Sequence, residues 1–182
     1  MADIAVEPGE TLLAFGGPYS NLEATQAVLE ETVRRGIPPW RTICTGDVVA
    51  YGADAQATAD LIRSAGIPVI MGNCEESLGD RAADCGCGFA EGSACDLLSV
   101  AWFAHADRTL DDEARRWMRA LPRRIDLAIG GRRLAVIHGG VGQINRFIFE
   151  STEAAEKAAQ LDEAAVDGVR IEHHPPFNYP HL

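Results

Sequence analysis

The sequence is poor in basic residues. Its 182 residues include 16 lysines and arginines against 27 aspartates and glutamates, which gives a formal net charge of -11 at pH 7. Because phosphate backbones repel an acidic protein, this balance argues against a nucleic-acid or membrane-surface partner. It leaves room for a small phosphate ester at a metal, since a bound cation overrides the overall charge locally.

Two kinds of apolar segment are also missing. The first ten residues contain neither the basic cluster nor the apolar stretch of a secretory signal peptide. No run of 18 apolar residues occurs that would predict a membrane-spanning helix. We therefore expect a cytoplasmic protein. In that compartment the five cysteines should be reduced thiols or metal ligands, not disulfides.

What remains is the composition of an ordinary globular domain, with 47% hydrophobic and 24% charged residues. The length suits one domain with a sizeable core. We find no internal repeat and no linker long enough to divide the chain. The sequence thus predicts a single domain over residues 1–182.

The first 75 residues alternate between short apolar runs and amphipathic segments. Apolar runs at residues 11–15, 41–45 and 68–71 predict buried strands. Residues 21–35 and 54–65 predict helices, each followed by a glycine. Strands that alternate with helices indicate a parallel sheet with right-handed crossovers, and hence an α/β fold.

The second half of the sequence predicts a different mixture of elements. It contains a stretch rich in Gly, Cys and acidic residues with little periodicity, and later a Gly-Gly turn between two apolar runs, which is typical of a hairpin. We predict a long loop over 74–95, helices over 96–108, 111–120 and 151–165, a hairpin of strands 124–129 and 132–138, and a strand over 166–171.

Three polar residues directly follow predicted strands: Asp47, Asn73 and His138. In open α/β sheets, ligands bind outside the carboxyl ends of the strands. Each residue alone is more often a turn, cap or structural residue than a ligand. Together they predict a shared metal site at that edge.

The same residues lie in motifs that resemble those of the calcineurin-like metallophosphoesterases. Residues 44–54 (CTGDVVAYGAD) resemble the family's G-D segment, and residues 72–75 (GNCE) its G-N-H-[D/E] motif. Residues 136–140 (VIHGG) resemble its V-H-G segment. Residues 21–24 (NLEA) match the first helix of the small bacterial branch. The order and approximate spacing agree over residues 11 to about 177.

The resemblance implies a calcineurin-like α/β/β/α sandwich, with an incomplete second sheet at the C-terminus. It implies a metal-dependent phosphoester hydrolase, either a phosphatase or a phosphodiesterase, acting on a small phosphorylated substrate. The implied cofactor is a divalent metal ion (Mn, Fe, Zn or Ni), one or two per chain.

The positions that depart from the family pattern are ligand positions of only one of the family's two metals. The resemblance places Gly17 and Tyr19 where the family has the Asp and His of D-x-H, and Pro175 where it has the second His of G-H-x-H. One metal would then have lost its private ligands, which predicts a one-metal site. The implied ligands of the other metal are Asp47, Asn73, His138 and His173.

A second departure from the family pattern concerns the residue that transfers a proton in catalysis. Cys74 stands where the resemblance implies a catalytic histidine, and Glu75 is expected with it beside the substrate. A thiol, with a reference pKa of about 8.5, is a weaker acid than imidazolium. This substitution favours slow turnover or none, and the alternative function is a catalytically silent binding or regulatory protein on the same fold.

Four of the cysteines, Cys74, Cys85, Cys87 and Cys95, lie close together in the sequence. Thiolates favour zinc or iron–sulfur centres. Because the C-x2-C pairs of common zinc sites are missing, the spacing favours small buried thiols. A redox or metal-sensing protein built on this segment is the third alternative.

The sequence ends at Leu182, soon after the segment that resembles G-H-x-H, whereas the resemblance implies further strands. We expect the C-terminal part to be truncated relative to the family. An exposed sheet edge would then require cover, for instance by a homo-oligomer.

Overall fold

The structure, a computed structural model, describes residues 3–86 and 94–172, without the side chains of Asp3 and of residues 94–97. None of the described helices combines the length and apolarity that crossing a membrane requires. The strands are β1 (Asp3–Val6), β2 (Leu13–Phe15), β3 (Thr42–Cys44), β4 (Arg124–Ile129), β5 (Arg132–Ile137) and β6 (Gly168–Ile171). The helices are α1 (Leu22–Arg34), α2 (Ala55–Ala65), α3 (Asn73–Gly79), α4 (Ala94–Thr109), α5 (Asp112–Ala120) and α6 (Ala154–Ala164).

The first sheet pairs β2 with β3 in parallel, and Val69 adds a parallel bridge to Cys44 on β3. The helices α1 and α2 connect these strands, as the alternation of apolar and amphipathic segments predicts. The α/β fold class is confirmed.

The second sheet has the strand order β1-β4-β5-β6. β4 and β5 form the predicted antiparallel hairpin, and the outer strands β1 and β6 pair in parallel with their neighbours. The hairpin turn needs glycine, because Gly130 and Gly131 adopt φ of +57° and +78°, a region that side chains disfavour.

The two sheets face each other across one apolar core. Ile4 of β1, Ile43 of β3, and Ile125 and Val136 of the hairpin share a buried cluster. A second buried cluster joins the first sheet to the helices; it includes Ile62 of α2, Leu78 of α3, Phe103 of α4 and Met118 of α5. The carboxyl ends of the strands are thereby fixed on rigid layers.

The prediction of a loop over residues 74–95 is wrong at both ends. Asn73–Gly79 forms the short helix α3, and α4 already begins at Ala94. In α3, Cys74 and Leu78 lie four residues apart on one buried face of the helix. The glycines and acidic residues around them obscure this helical period in the sequence.

The predicted strand at residues 68–71 makes a single bridge. Pro68 has no N–H to donate, although its carbonyl accepts from the Cys44 amide at 3.0 Å. The amide of Met71 turns away from the sheet and donates to the Pro122 carbonyl at 2.8 Å.

The prediction that all cysteines are thiols or ligands is wrong for Cys85, which is disulfide-bonded. Cys44 and Cys74 are free and buried, as expected for buried thiols. Cys87 and the side chain of Cys95 lie outside the described residues.

Candidate metal centre

Four polar residues lie where strands end. Asp47 follows β3 by three residues, Asn73 begins α3 just after the Val69 bridge, and His138 directly follows β5. All three are buried. The fourth, Glu172, directly follows β6. The predicted edge of the sheets therefore carries the predicted residues.

The imidazole of His138 brings three of these side chains together. Its Nε2 lies 3.2 Å from Asn73 Oδ1 and 3.5 Å from Asp47 Oδ1. Its Nδ1 lies 2.8 Å from the Thr45 carbonyl oxygen, which can only accept. Nδ1 therefore carries a proton, and Nε2 of the neutral ring presents a lone pair to two oxygens. That arrangement is favourable only when a proton or a cation lies between them.

The side chain of Asn73 is oriented by its amide nitrogen. Nδ2 donates to the Cys85 carbonyl at 3.1 Å and lies 3.6 Å from Cys74 Sγ. With the NH2 group on that side, the oxygen Oδ1 faces His138. The amide thus presents an acceptor, not a donor, to the site.

The backbone of Asp47 adopts a left-handed conformation with φ of +49°. Such a conformation persists in a non-glycine residue only when the surroundings determine it. Here the Asp47 amide donates to Glu75 Oε2 at 2.7 Å, and the Tyr19 amide donates to the Asp47 carbonyl at 3.1 Å. The carboxylate accepts from the Cys74 amide at 3.2 Å.

Two glycines allow this close packing. A methyl group on Gly72 would overlap Asp47 Oδ1 and lie 2.6 Å from the Asp47 nitrogen. A methyl group on Gly46 would lie 2.8 Å from both His138 Nδ1 and the Gly72 nitrogen. The glycines of the G-D and G-N motifs are therefore needed for the space they leave.

Glu75, predicted beside the substrate, is fully buried and holds the loops together. Its carboxylate accepts from the amides of Asp47, Val49 and Gly72 at 2.7, 3.3 and 3.0 Å. Burial and the charge of Asp47 raise the pKa of Glu75 to about 7, against the charge of His138 and the amide donors.

Cys74 is equally buried, at 1% exposure. Burial, and then the charges of Asp47 and Glu75, raise the pKa of its thiol well above the usual value. The group is therefore a neutral thiol at physiological pH. It contacts the site through its backbone amide, which donates to Asp47, and through its sulfur, which lies near Asn73 Nδ2 and the Asp47 carboxylate.

His138 gains a proton readily in this setting. Burial opposes the charged ring, but the charge and hydrogen bond of Asp47, the Thr45 carbonyl and the charge of Glu75 outweigh it and raise the pKa of His138 to about 9. A proton on Nε2 is one way to relieve the crowding of acceptors around it.

Motif comparison did not single out Glu172 as a site residue. Its carboxylate accepts a short hydrogen bond from the Thr45 hydroxyl and packs against Gly16. Tyr19, at the position of the family's histidine, packs its ring against Gly17. The one available signal for Glu172 was a carboxylate directly after the predicted strand 166–171.

The implied divalent cation can be tested against these residues. A carboxylate, an amide oxygen and an imidazole nitrogen with its other nitrogen anchored on a carbonyl form a chemically suitable donor set. Among the described residues, no group of three or more His, Cys, Asp and Glu side chains is arranged to hold a metal. Asp47, Asn73 and His138 give three donors only because the amide oxygen of Asn73 is counted with the carboxylate and the imidazole. His173 lies outside the described residues.

A cleft of about 470 Å³ opens beside the loop after β2. Its lining includes the aromatic rings of Phe15, Tyr19 and Tyr51 and the backbone of Gly16 and Gly17. Tyr19 and Tyr51 lie with ring centroids 5.2 Å apart. The cleft therefore offers an apolar, aromatic wall next to the polar centre.

Known proteins resemble this chain in structure and in part of its sequence. A metallophosphoesterase from Sphaerobacter thermophilus superposes with a TM-score of 0.63 over 88% of this chain and 58% of its own, at 21% identity. A hypothetical protein from Pyrococcus horikoshii OT3 gives a TM-score of 0.69 over 88% of this chain and 68% of its own, at 18% identity. No protein-family model matches the chain.

A curated relative, an uncharacterized protein of Methanocaldococcus jannaschii, is 30% identical over 121 residues. The match covers 66% of this chain but only 45% of that relative. The structural likeness shows the fold, and the recognition made from the motifs is confirmed at that level.

Proposed function

Starting from the metallophosphoesterase fold, we propose that this chain is a metal-dependent phosphoester hydrolase of the calcineurin-like type. Asp47, Asn73 and His138 hold its divalent cation. One observation carries the proposal. The lone-pair side of His138 Nε2 faces Asn73 Oδ1 at 3.2 Å and Asp47 Oδ1 at 3.5 Å, and these two residues follow different strands. His173 is the proposed fourth ligand, and the metal (Mn, Fe, Zn or Ni, one or two per chain) is part of the proposal.

A divalent cation bound there supplies a Lewis acid that polarises a phosphoryl oxygen and neutralises charge developing on it. The residues of the chain fix the ligands before any substrate arrives. The Thr45 carbonyl sets the tautomer of His138, the Cys85 carbonyl orients Asn73, and Glu75 holds the loop of Asp47.

Cys74 and Glu75 take part in catalysis through Asp47 in this proposal. Both are buried, and both contact Asp47, one through its amide and one through its carboxylate. A neutral thiol is a poor proton donor to a leaving oxygen. Esters with acidic leaving groups, which depart without a proton, are therefore the expected substrates.

The proposed ligand is a small phosphorylated molecule, bound as a phosphatase or phosphodiesterase substrate. The cleft lined by Phe15, Tyr19 and Tyr51 suits an apolar or aromatic group attached to the phosphate. The net charge of -11 makes the cation the main attraction for the phosphate.

The test pairs metal content with turnover of an aryl phosphodiester, bis(p-nitrophenyl) phosphate. Wild-type protein should carry metal and turn the ester over, and Asp47→Asn should lose at least tenfold in both metal affinity and rate. Asp162→Asn, which changes an exposed carboxylate on α6, is the matched control and should behave as wild type. Metal retained at full affinity by Asp47→Asn would contradict the proposed ligand set.

The second candidate is a catalytically silent binding or regulatory protein on the same fold. The neutral thiol of Cys74 and the packing of Tyr19 against Gly17 favour it. Purified protein with neither metal nor turnover would support this candidate. Metal lost on thiol alkylation but kept in Asp47→Asn would instead favour a metal sensor built on the cysteine segment.

Three broader predictions belong to the same proposal: a single domain over residues 1–182, a cytoplasmic location, and a homo-oligomer. In the described part of the chain, β6 ends the second sheet and pairs only with β5. An open strand edge is a surface on which a second copy can pair. Light scattering on the purified protein measures the oligomeric state directly.

A further inference from the structure

The hydroxyl group of Tyr19 belongs to the wall of the cleft beside the polar centre. The ring lies over Gly17, where an added methyl group would overlap it and would lie 2.6 Å from the hydroxyl oxygen. Both residues line the cleft of about 470 Å³. Within the described part of the chain this hydroxyl makes no hydrogen bond. Tyr19 is half-buried, and its hydroxyl is not one of the polar atoms that are sealed from solvent without a partner.

Backbone hydrogen bonds hold Tyr19 against the loop that carries Asp47. The Tyr19 amide donates to the Asp47 carbonyl at 3.1 Å, and the next amide, of Ser20, donates to the Val48 carbonyl at 2.9 Å. On the other side, the Gly52 amide donates to the Tyr19 carbonyl at 3.0 Å. The position of the phenol is therefore tied to the position of Asp47.

The backbone is strained where it places this ring. Tyr19 and Ser20 adopt φ of +51° and +56°, a region that side chains disfavour. Such conformations persist only when the surroundings determine them, and they cluster at functional sites. Here the Ala50 amide donates to Ser20 Oγ at 3.2 Å, and the Asp54 amide donates to the Ser20 carbonyl at 3.1 Å. These bonds maintain the strained turn, which holds the Tyr19 ring over Gly17.

The cleft itself offers little to the negative charge of a phosphate. None of its described lining residues carries a charged side chain. The Thr25 hydroxyl already donates to the Asn21 carbonyl at 2.7 Å. A phosphoryl group has several oxygens, and those that do not contact a cation need hydrogen-bond donors. A neutral phenol can donate, and hydrogen bonds to charged acceptors are stronger than those between neutral groups.

We propose that Tyr19 is a substrate-binding residue whose hydroxyl donates a hydrogen bond to a phosphoryl oxygen of the ester. A tyrosine at the position where the resemblance implies a histidine ligand thus contacts the substrate instead of a metal. The contact holds the phosphate between the loop of Asp47 and the aromatic wall of the cleft. This inference rests on the proposed function and names a residue of its substrate site.

The test measures the affinity of the full chain with bound Mn²⁺ for inorganic phosphate by calorimetry, and the KM for bis(p-nitrophenyl) phosphate. Tyr19→Phe keeps the ring over Gly17 and removes only the hydroxyl. It should bind phosphate about tenfold more weakly and raise KM by a similar factor, since a hydrogen bond to a charged group is lost. Ser64→Ala removes a hydroxyl that donates to the Leu61 carbonyl on α2; it is the control and should behave as wild type.

Two measurements without phosphate distinguish substrate binding from a structural role. Because the hydroxyl has no partner in the described chain, Tyr19→Phe should melt at the wild-type temperature and should bind Mn²⁺ as wild type does. A variant that melts lower or does not fold would overturn the proposal, because the hydroxyl would then stabilise the fold. Weaker Mn²⁺ binding would also overturn it, because the hydroxyl would then act on the metal.

The outcomes also separate this inference from the proposed function. Wild-type phosphate affinity and KM in Tyr19→Phe, with turnover lost in Asp47→Asn, would overturn the role of Tyr19 and leave the hydrolase intact. Weaker phosphate binding in Tyr19→Phe, without any hydrolysis by the wild type, would support the contact and contradict the hydrolase. Failure of the wild type to bind phosphate in the presence of Mn²⁺ would overturn this inference, and the turnover assay would decide the function by itself.

Discussion

At the scale of single residues, the spacing of the proposed ligands depends on glycines as much as on the ligands themselves. Gly72 lets the Asp47 carboxylate lie against the backbone at the start of α3, and Gly46 lets His138 approach the same turn. Neither position leaves room for a side chain. Asp47 adopts a left-handed backbone conformation directly after Gly46, although it is not itself a glycine.

Replacing Gly72 by alanine tests this spacing. Because the added methyl group would overlap Asp47 Oδ1, we expect a loss of about 1–3 kcal/mol in the free energy of unfolding, the usual range for overpacking a buried site. Metal affinity should fall at least tenfold, since the carboxylate must move. Urea unfolding and calorimetric metal titration measure the two effects.

Gly79→Ala is the matched control for that substitution. It ends α3, the helix that Gly72 precedes as its N-cap, and a methyl group there would meet the flexible side chain of Arg119 at 3.1 Å. We expect metal affinity to stay within twofold of wild type. A Gly72→Ala protein that binds metal as tightly as Gly79→Ala would show that Asp47 does not depend on this close approach.

At the scale of elements, sequence reasoning succeeded wherever the apolar period was long and bounded by caps. The alternation β2-α1-β3-α2 and the hairpin β4-β5 follow from apolar runs that end at glycine. β1 was missed because Asp3–Val6 contains a charged residue and is followed by acidic residues and a glycine, so no apolar run stands out. α3 was missed because its glycine, cysteine and acidic residues are typical of a loop.

The same distinction holds for the candidate site. Asp47, Asn73 and His138 could be predicted, because each stands directly after an apolar run in a recognisable motif. The approach of Glu172 to Gly16 could not, because 156 positions of sequence separate two residues that only the pairing of the sheets brings together. Local patterns contain no information about such contacts.

Helix capping yields a prediction at this scale. Asn21 caps α1 by accepting from the Ala24 amide at 2.9 Å, whereas Asp54 stands at the same position of α2 without a side-chain hydrogen bond. Asn21→Ala should therefore lower the free energy of unfolding by about 1 kcal/mol. Denaturant unfolding measures it.

Asp54→Ala should cost less than Asn21→Ala, only the few tenths of a kcal/mol that a charge near a helix N-terminus contributes. Because both substitutions truncate a polar side chain at the start of a helix, the difference between them isolates the capping bond. Equal losses would contradict the assignment of Asn21 as the cap.

At the scale of the whole molecule, an acidic protein buries carboxylates around one histidine. The folded state raises the pKa of His138 from the usual 6.5 to about 9. Between these values the folded protein binds more protons than the unfolded chain, so its stability must fall as the pH rises. A cation on Nε2 replaces that proton and reverses the dependence.

We therefore predict opposite pH dependences without and with metal. The melting temperature of the metal-free protein in chelator should fall between pH 7 and pH 9. The increase in melting temperature that a saturating divalent cation produces should grow over the same interval. Thermal melts at pH 7, 8 and 9, with and without Mn²⁺, measure both.

Variants of the two histidines identify the source of the effect. His138→Gln should flatten the decline of the metal-free protein between pH 7 and pH 9, and should abolish the added stability from metal. His105→Gln changes a histidine of α4 whose Nε2 makes an exposed contact with the Ala53 carbonyl, and this variant should keep both effects. A metal-free protein whose stability rises over this interval would contradict a raised pKa at His138.

The packing of Tyr19 against Gly17 limits how this chain can change over evolution. An aspartate introduced at position 17 would meet the tyrosine ring, on a backbone with φ of +48° that side chains disfavour. A metal-binding aspartate therefore cannot be introduced at position 17 alone; Tyr19 must be replaced first. The order of the two substitutions matters, because position 17 has room for a side chain only after the ring is gone.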